Sequence, residues 1–136
     1  MSQSSPLDPR TVAPEVAAGI HVMPILHERV DLAALVHWVL DALDPSVVAV
    51  ELPTTLRAAA LRAVQRLPRI SVVISEEEGE DALVWVVVPG DPLVEGLRWA
   101  SERGRDAVLI DPDVRYLHRH RDPVPDPHSM WSIGPD

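Results

Sequence analysis

Residues 19–57 read GIHVMPILHERVDLAALVHWVLDALDPSVVAVELPTTLR, and this stretch decides the fold. Segment 18–25 carries Ile20, Val22, Met23 and Ile25 and predicts a first strand. Residues 29–43 place Leu32, Leu35, Val36, Val39 and Leu43 at helical spacing. Asp31 lies near the start of that helix and Asp44-Pro45 stops it. Residues 47–52, VVAVEL, are nearly all apolar, as expected of a parallel strand buried on both faces. A right-handed strand–helix–strand crossover sets the ends of its two strands side by side. In an open α/β sheet, ligands bind at that carboxyl edge. His27 and Glu28 follow the first strand, and Glu51 ends the second. Imidazole and carboxylate both ligate metals and both transfer protons. Glu51 follows VVAV without a turn residue, so partial burial is expected, and a buried carboxylate needs a partner.

Outward from this stretch, a second helix is expected over 54–67, opened by Pro53. Strands follow at 70–74 and 82–88. The SEEEGED link between them is too short for a helical crossover, so they should pair as an antiparallel hairpin or lie apart at the sheet edge. A third helix covers DPLVEGLRWASERG, with Asp91 as its N-cap and Gly104 as its C-cap. A fifth strand at 107–110 ends on Asp111, which should face the same edge or start a turn with Pro112. The order β-α-β-α-β-β-α-β predicts a three-layer α/β domain with a mostly parallel five-stranded sheet and one antiparallel hairpin. Residues 1–15 read as a flexible arm, 16–113 as the domain, and 114–136 as a Pro/His-rich tail with one helical turn at 115–118.

The 136 residues are 46% apolar, enough for one domain with a real core. Cysteine is absent, which excludes disulfides, thiolate metal sites and a Cys nucleophile. The formal net charge of −9 argues against general nucleic-acid binding, which needs a basic patch. All 12 cations are Arg, which removes Schiff-base and P-loop lysine chemistry. This Arg-only, Ala/Val/Pro-rich composition is that of GC-rich bacterial genomes. The N-terminus lacks the basic-then-apolar pattern of a signal peptide, and no run reaches a membrane span. A cytoplasmic location is expected.

The candidate catalytic residues are therefore His27, Glu51 and Asp111, and the candidate metal ligands are His27 and Glu51. The structural alternative is that polar residues at strand ends merely begin loops. His118, His120 and His128 could ligate zinc or nickel. Arg119 and Arg121 lie among them, and a solvated tail is the simpler reading. His21 reads as a satisfied core histidine and His37 as structural. The acidic run 76–81 reads as a solvated hairpin tip, because it lacks the alternating ligands of a calcium loop. There is no GxGxxG, GxSxG or HExxH.

Pro24-Ile25-Leu26-His27, Asp44-Pro45-Ser46, Val50-Glu51-Leu52 and Arg57 resemble the opening of the TraB/Tiki family. That family belongs with the erythromycin esterases and ChaN-like proteins. It shows Gly-x-x-His, a Pro-Asp turn, Val-Glu-Leu and a following Arg, and Pro24 here replaces the Gly. Asp91-Pro92, Leu97-Arg98-Trp99-Ala100 and Ile110-Asp111 are similar to a segment of an uncharacterised bacterial branch. The resemblance implies a TraB-like domain with His27 and Glu51 at metal-dependent hydrolase positions and a divalent metal as cofactor. The likeness ends near the family's first half. It therefore implies an incomplete, vestigial or partner-completed site, or alternatively a non-catalytic protein-interaction subunit of a bacterial assembly. It also implies a homo-oligomer or a protein partner that supplies the missing half. Whether the chain is an enzyme stays open at this point.

Overall fold

A computed structural model describes residues 7–75 and 83–112. The element order is α1 (Pro9–Val12), β1 (Glu15–Ala17), β2 (Ile20–His21), α2 (Val30–Leu43), β3 (Val47–Pro53), a 3-10 turn at Thr54–Leu56 and α3 (Arg57–Val64). Then come β4 (Ser71–Ser75), β5 (Leu83–Val87), α4 (Pro92–Glu102) and β6 (Asp106–Asp111). The segment assigned to a flexible arm thus carries α1 and the start of β1. The tail, with its expected helical turn and His118, His120 and His128, lies outside the described residues, as does the run 76–81.

The expected five-stranded, mostly parallel sheet is not what forms. Among the described residues the strands pair only two by two, as β1–β2 antiparallel, β3–β6 parallel and β4–β5 antiparallel. The expected first strand is one reason, and the other is that the β4–β5 hairpin pairs with neither β3 nor β6. Only Ile20 and His21 of it are in a strand, and they pair back onto β1 rather than alongside β3. Beyond them lies Pro24, which has no N–H to give to a ladder. The crossover read from residues 19–57 therefore has its helix and its second strand but lacks its first. The hairpin expected from the short 75–81 link is present, with Ser71 opposite Val87 and Ser75 opposite Leu83.

Helix α4 is the centre of the core. Leu93, Val94, Leu97, Trp99 and Ala100 are all buried, at the spacing of one broad helical face. They pack on Val48, Val50 and Leu52 of β3 and on Ala107 and Leu109 of β6. A Cβ at Gly96 would meet Val48 and Val50 at ordinary contact distances of 3.6 and 3.7 Å, which shows how closely α4 lies on β3 without requiring glycine there. α2 lies beside α4 and buries Ala33, Val36 and Val39. A polar seam joins the two helices. His37 Nδ1 meets Glu95 at 2.7 Å, and the Trp99 indole donates to Asp41 at 2.7 Å. Arg103 pairs with the same Asp41 and stacks on Trp99 with its guanidinium 4.7 Å from the ring centre. His37 is structural, as read from the sequence. His21 is half-buried and its Nδ1 lies 2.9 Å from the Ala13 carbonyl.

The three expected layers do not form around β3 and β6 either. β3 and β6 alternate strictly, with Val48, Val50, Ala107 and Leu109 buried and Val47, Ala49, Val108 and Ile110 exposed. The apolar run of β3 is buried on one face only. No helix among the described residues is long and apolar enough to cross a membrane.

Candidate active site

Two chain reversals build the site. α2 leads into β3 through residues 44–46, and α4 leads into β6 through residues 103–105. Asp44 makes the first reversal in the left-handed region, φ 43°, and Gly104 the second at φ 63°. With connections this short, the N-termini of both helices lie at the carboxyl edge of the β3–β6 pair. His27 stands just before α2, and Asp91 caps α4.

Asp91 is the best-connected polar group there and is only 4% exposed. Its Oδ1 accepts from the backbone N–H groups of Leu93 and Val94 at 2.9 and 3.1 Å, which is an ordinary N-cap. Its Oδ2 is used differently. It accepts the Glu28 N–H at 2.9 Å and faces His27 Nδ1 at 3.1 Å. Glu28 sits at φ 60°, where a side chain other than glycine is uncommon. That left-handed turn lets two consecutive residues, 27 and 28, reach one carboxylate oxygen.

The electrostatics follow from this geometry. The hydrogen bond to Asp91 raises the His27 pKa above 6.5. Partial burial opposes the rise, and the charges of Asp91, Glu51 and Glu28 add to it. Burial works against ionisation of Asp91, yet hydrogen bonds from His27, Glu28 and Val94 outweigh it and hold its pKa below 3.8. An ionised Asp91 accepts from Nδ1–H, which leaves Nε2 as the free nitrogen. The His27 side chain is 60% exposed. The result is an imidazole oriented by a buried carboxylate and open to solvent.

The other expected residues fall into place unevenly. Glu51 contributes its charge to His27 but is exposed, not partly buried as its sequence context implied. The alternation of β3 sets it on the outer face with Val47 and Ala49. Asp111 ends β6 opposite Pro53, so it shares the carboxyl edge, but it takes no part in the hydrogen bonds around His27. Arg57 gives its Nε–H to the Ala107 carbonyl at 3.1 Å and holds the start of α3 to β6. Asp91 is the partner that sequence reasoning missed, having assigned it only the cap. The Asp-Pro signal marks a helix start and carries nothing about a histidine 64 residues away.

The resemblance implied a metal, and the residues do not fit one. Among the described residues no group of three or more His, Asp or Glu could hold a metal ion. Only Nε2 of His27 could ligate, no second and third ligand among the described residues stand beside it, and its neighbours favour the protonated ring, which repels a cation. A cleft of about 500 Å³ lies between α3 and α4, lined by Val64, Leu67, Pro68, Val94 and Arg98 among others. None of His27, Glu51, Asp91 or Asp111 lines it. Comparison of the chain with protein-family models, curated proteins and solved structures gives no match.

Proposed function

We propose that this chain is a cytoplasmic, TraB-like domain with an incomplete hydrolase-type site that a protein partner completes. The observation that carries the reading is the His27–Asp91 pair, set at the carboxyl edge with the His27 side chain 60% exposed and Nε2 unengaged among the described residues. An imidazole so held is a general base. Nε2 takes a proton from an attacking water or hydroxyl, Asp91 stabilises the imidazolium, and the same nitrogen returns the proton to the leaving group. Glu51 adds negative charge that favours the imidazolium. The partner would supply the nucleophile or substrate-binding wall, and the exposed face of β3 and β6 beside Glu51 is apolar enough to receive it.

Hydrolysis of an activated ester such as p-nitrophenyl acetate tests the acid/base part. His27→Gln is expected to remove most of the activity that the wild-type chain shows. Loss spread evenly among substitutions at the six histidines would refute it.

A second reading is a non-catalytic interaction subunit that retains the pair only as a brace between the α2 and α4 termini. The four hydrogen bonds to Asp91, three of them from the backbone, favour it. A His27→Gln variant that loses stability yet keeps the wild-type rate of ester hydrolysis would select that reading.

A further inference from the structure

An antiparallel sheet with one wetted face normally turns apolar residues inward and polar ones outward. The β4–β5 hairpin departs from this by being apolar on both faces. Its register sets Val72 opposite Val86 and Ile74 opposite Val84. All four stand on the outer face, between 48% and 57% exposed, and Ile70 just before β4 is 66% exposed. The inward positions are Ser71, Val73 and Ser75 on β4 and Trp85 and Val87 on β5, of which Val73 and Val87 are buried and Trp85 packs on the core. Val73 and Val87 already serve the core, and four further β-branched residues lie on the side away from it. Polar residues at those outward positions would fold the hairpin equally well, so burial by something else accounts for them.

We propose that two copies of this chain pair through the outer faces of their β4–β5 hairpins, as a two-fold dimer. The five side chains present on the order of 450 Å² of apolar surface, within the range where a patch marks a binding site. Two copies together bury roughly 900 Å² from these residues alone, and contacts at the rim bring this to the ~1,000 Å² that a specific interface requires. The outward positions of both strands carry no charge, so a charged partner finds no counter-charge there. A second copy offers the same flat, β-branched surface, and a two-fold interface needs only self-complementarity. Two such faces stack about 10 Å apart with their strands roughly aligned. The dimer is independent of the His27–Asp91 chemistry.

Sedimentation velocity on the full chain and on a Val72→Thr/Val84→Thr variant tests this. Threonine keeps the β-branched shape and strand preference, and both sites are exposed, so the fold should persist; circular dichroism and tryptophan fluorescence check that it does. The wild type is expected to dimerise at micromolar concentration. The double variant should raise the dissociation constant about tenfold or more, and Val108→Thr on β6 should leave it unchanged. A monomeric wild type overturns the proposal. So does a dimer that ignores the hairpin substitutions but yields to Val108→Thr. A monomer whose stability falls in the Val72→Thr/Val84→Thr variant also overturns it, and assigns the face to another part of the same chain.

Discussion

Replacing Asp91 by alanine removes four hydrogen bonds at one stroke, and their separate costs can be worked through. Loss of the N-cap to Leu93 and Val94 costs about 1 kcal/mol. The Glu28 N–H, held in a left-handed turn, loses its acceptor; since Glu28 is exposed and water can replace it, this costs about 1 kcal/mol or less. The charge-assisted contact to a largely exposed His27 adds below about 1 kcal/mol once screened. The expected total is about 2 to 3 kcal/mol, read by urea unfolding with the fluorescence of buried Trp99. Asp91→Asn keeps the cap acceptor but points an amide donor at Glu28 and His27, so about half that loss is expected.

The deficit should depend on pH. The folded pKa of His27 is raised, so its contribution is complete below 6.5 and is lost as pH rises through the folded value. The folded pKa of Asp91 is lowered, so its contribution is present above 3.8 and is lost as pH falls through the folded value. Asp91→Ala should therefore cost most between 3.8 and 6.5 and less near pH 8. A loss under about 0.5 kcal/mol, within the usual range for surface substitutions, would refute this account. A deficit that does not fall toward alkaline pH would refute the charged part of it.

Other substitutions probe the frame around the site by thermal or denaturant unfolding. Gly90 sits at φ 91° with Val30 Cγ2 only 3.0 Å from a Cβ position, so Gly90→Ala should cost about 1 to 2 kcal/mol or more. Gly96→Ala meets only ordinary contacts inside α4 and should be neutral or gain up to about 1 kcal/mol. Leu97 is fully buried in the core, so Leu97→Ala should cost about 2 to 5 kcal/mol. Glu28→Gly relieves the left-handed strain and should gain between zero and about 1 kcal/mol, with the Glu28 amide still bonded to Asp91.

The elements with strong local patterns were legible in the sequence. α2, β3, the hairpin and α4 with its Asp91 cap lie close to where periodicity and turn residues place them. The sheet was not legible, because pairing is decided by partners distant in the chain. Pro24 is a local sign that residues 22–26 do not join a ladder, while their apolar content alone favours a strand. The run VVAV looked like a strand buried on both faces, although Val47 and Ala49 turn outward. That same alternation exposes Glu51, so expecting burial from apolar neighbours confused position along a strand with the face of a strand. His27 was legible as a site residue. Its orienting acid was not, because residues 27 and 91 meet only after α2 and α4 have packed.

The measurement that bears most directly on the account is the titration of His27 by nitrogen-edited NMR, with the six histidines assigned by substitution. The account expects a His27 midpoint above 6.5, the proton on Nδ1 in the neutral form, and a fall in the midpoint in Asp91→Asn. A midpoint at or below 6.5 that Asp91→Asn leaves in place would contradict the pairing on which the proposed site rests.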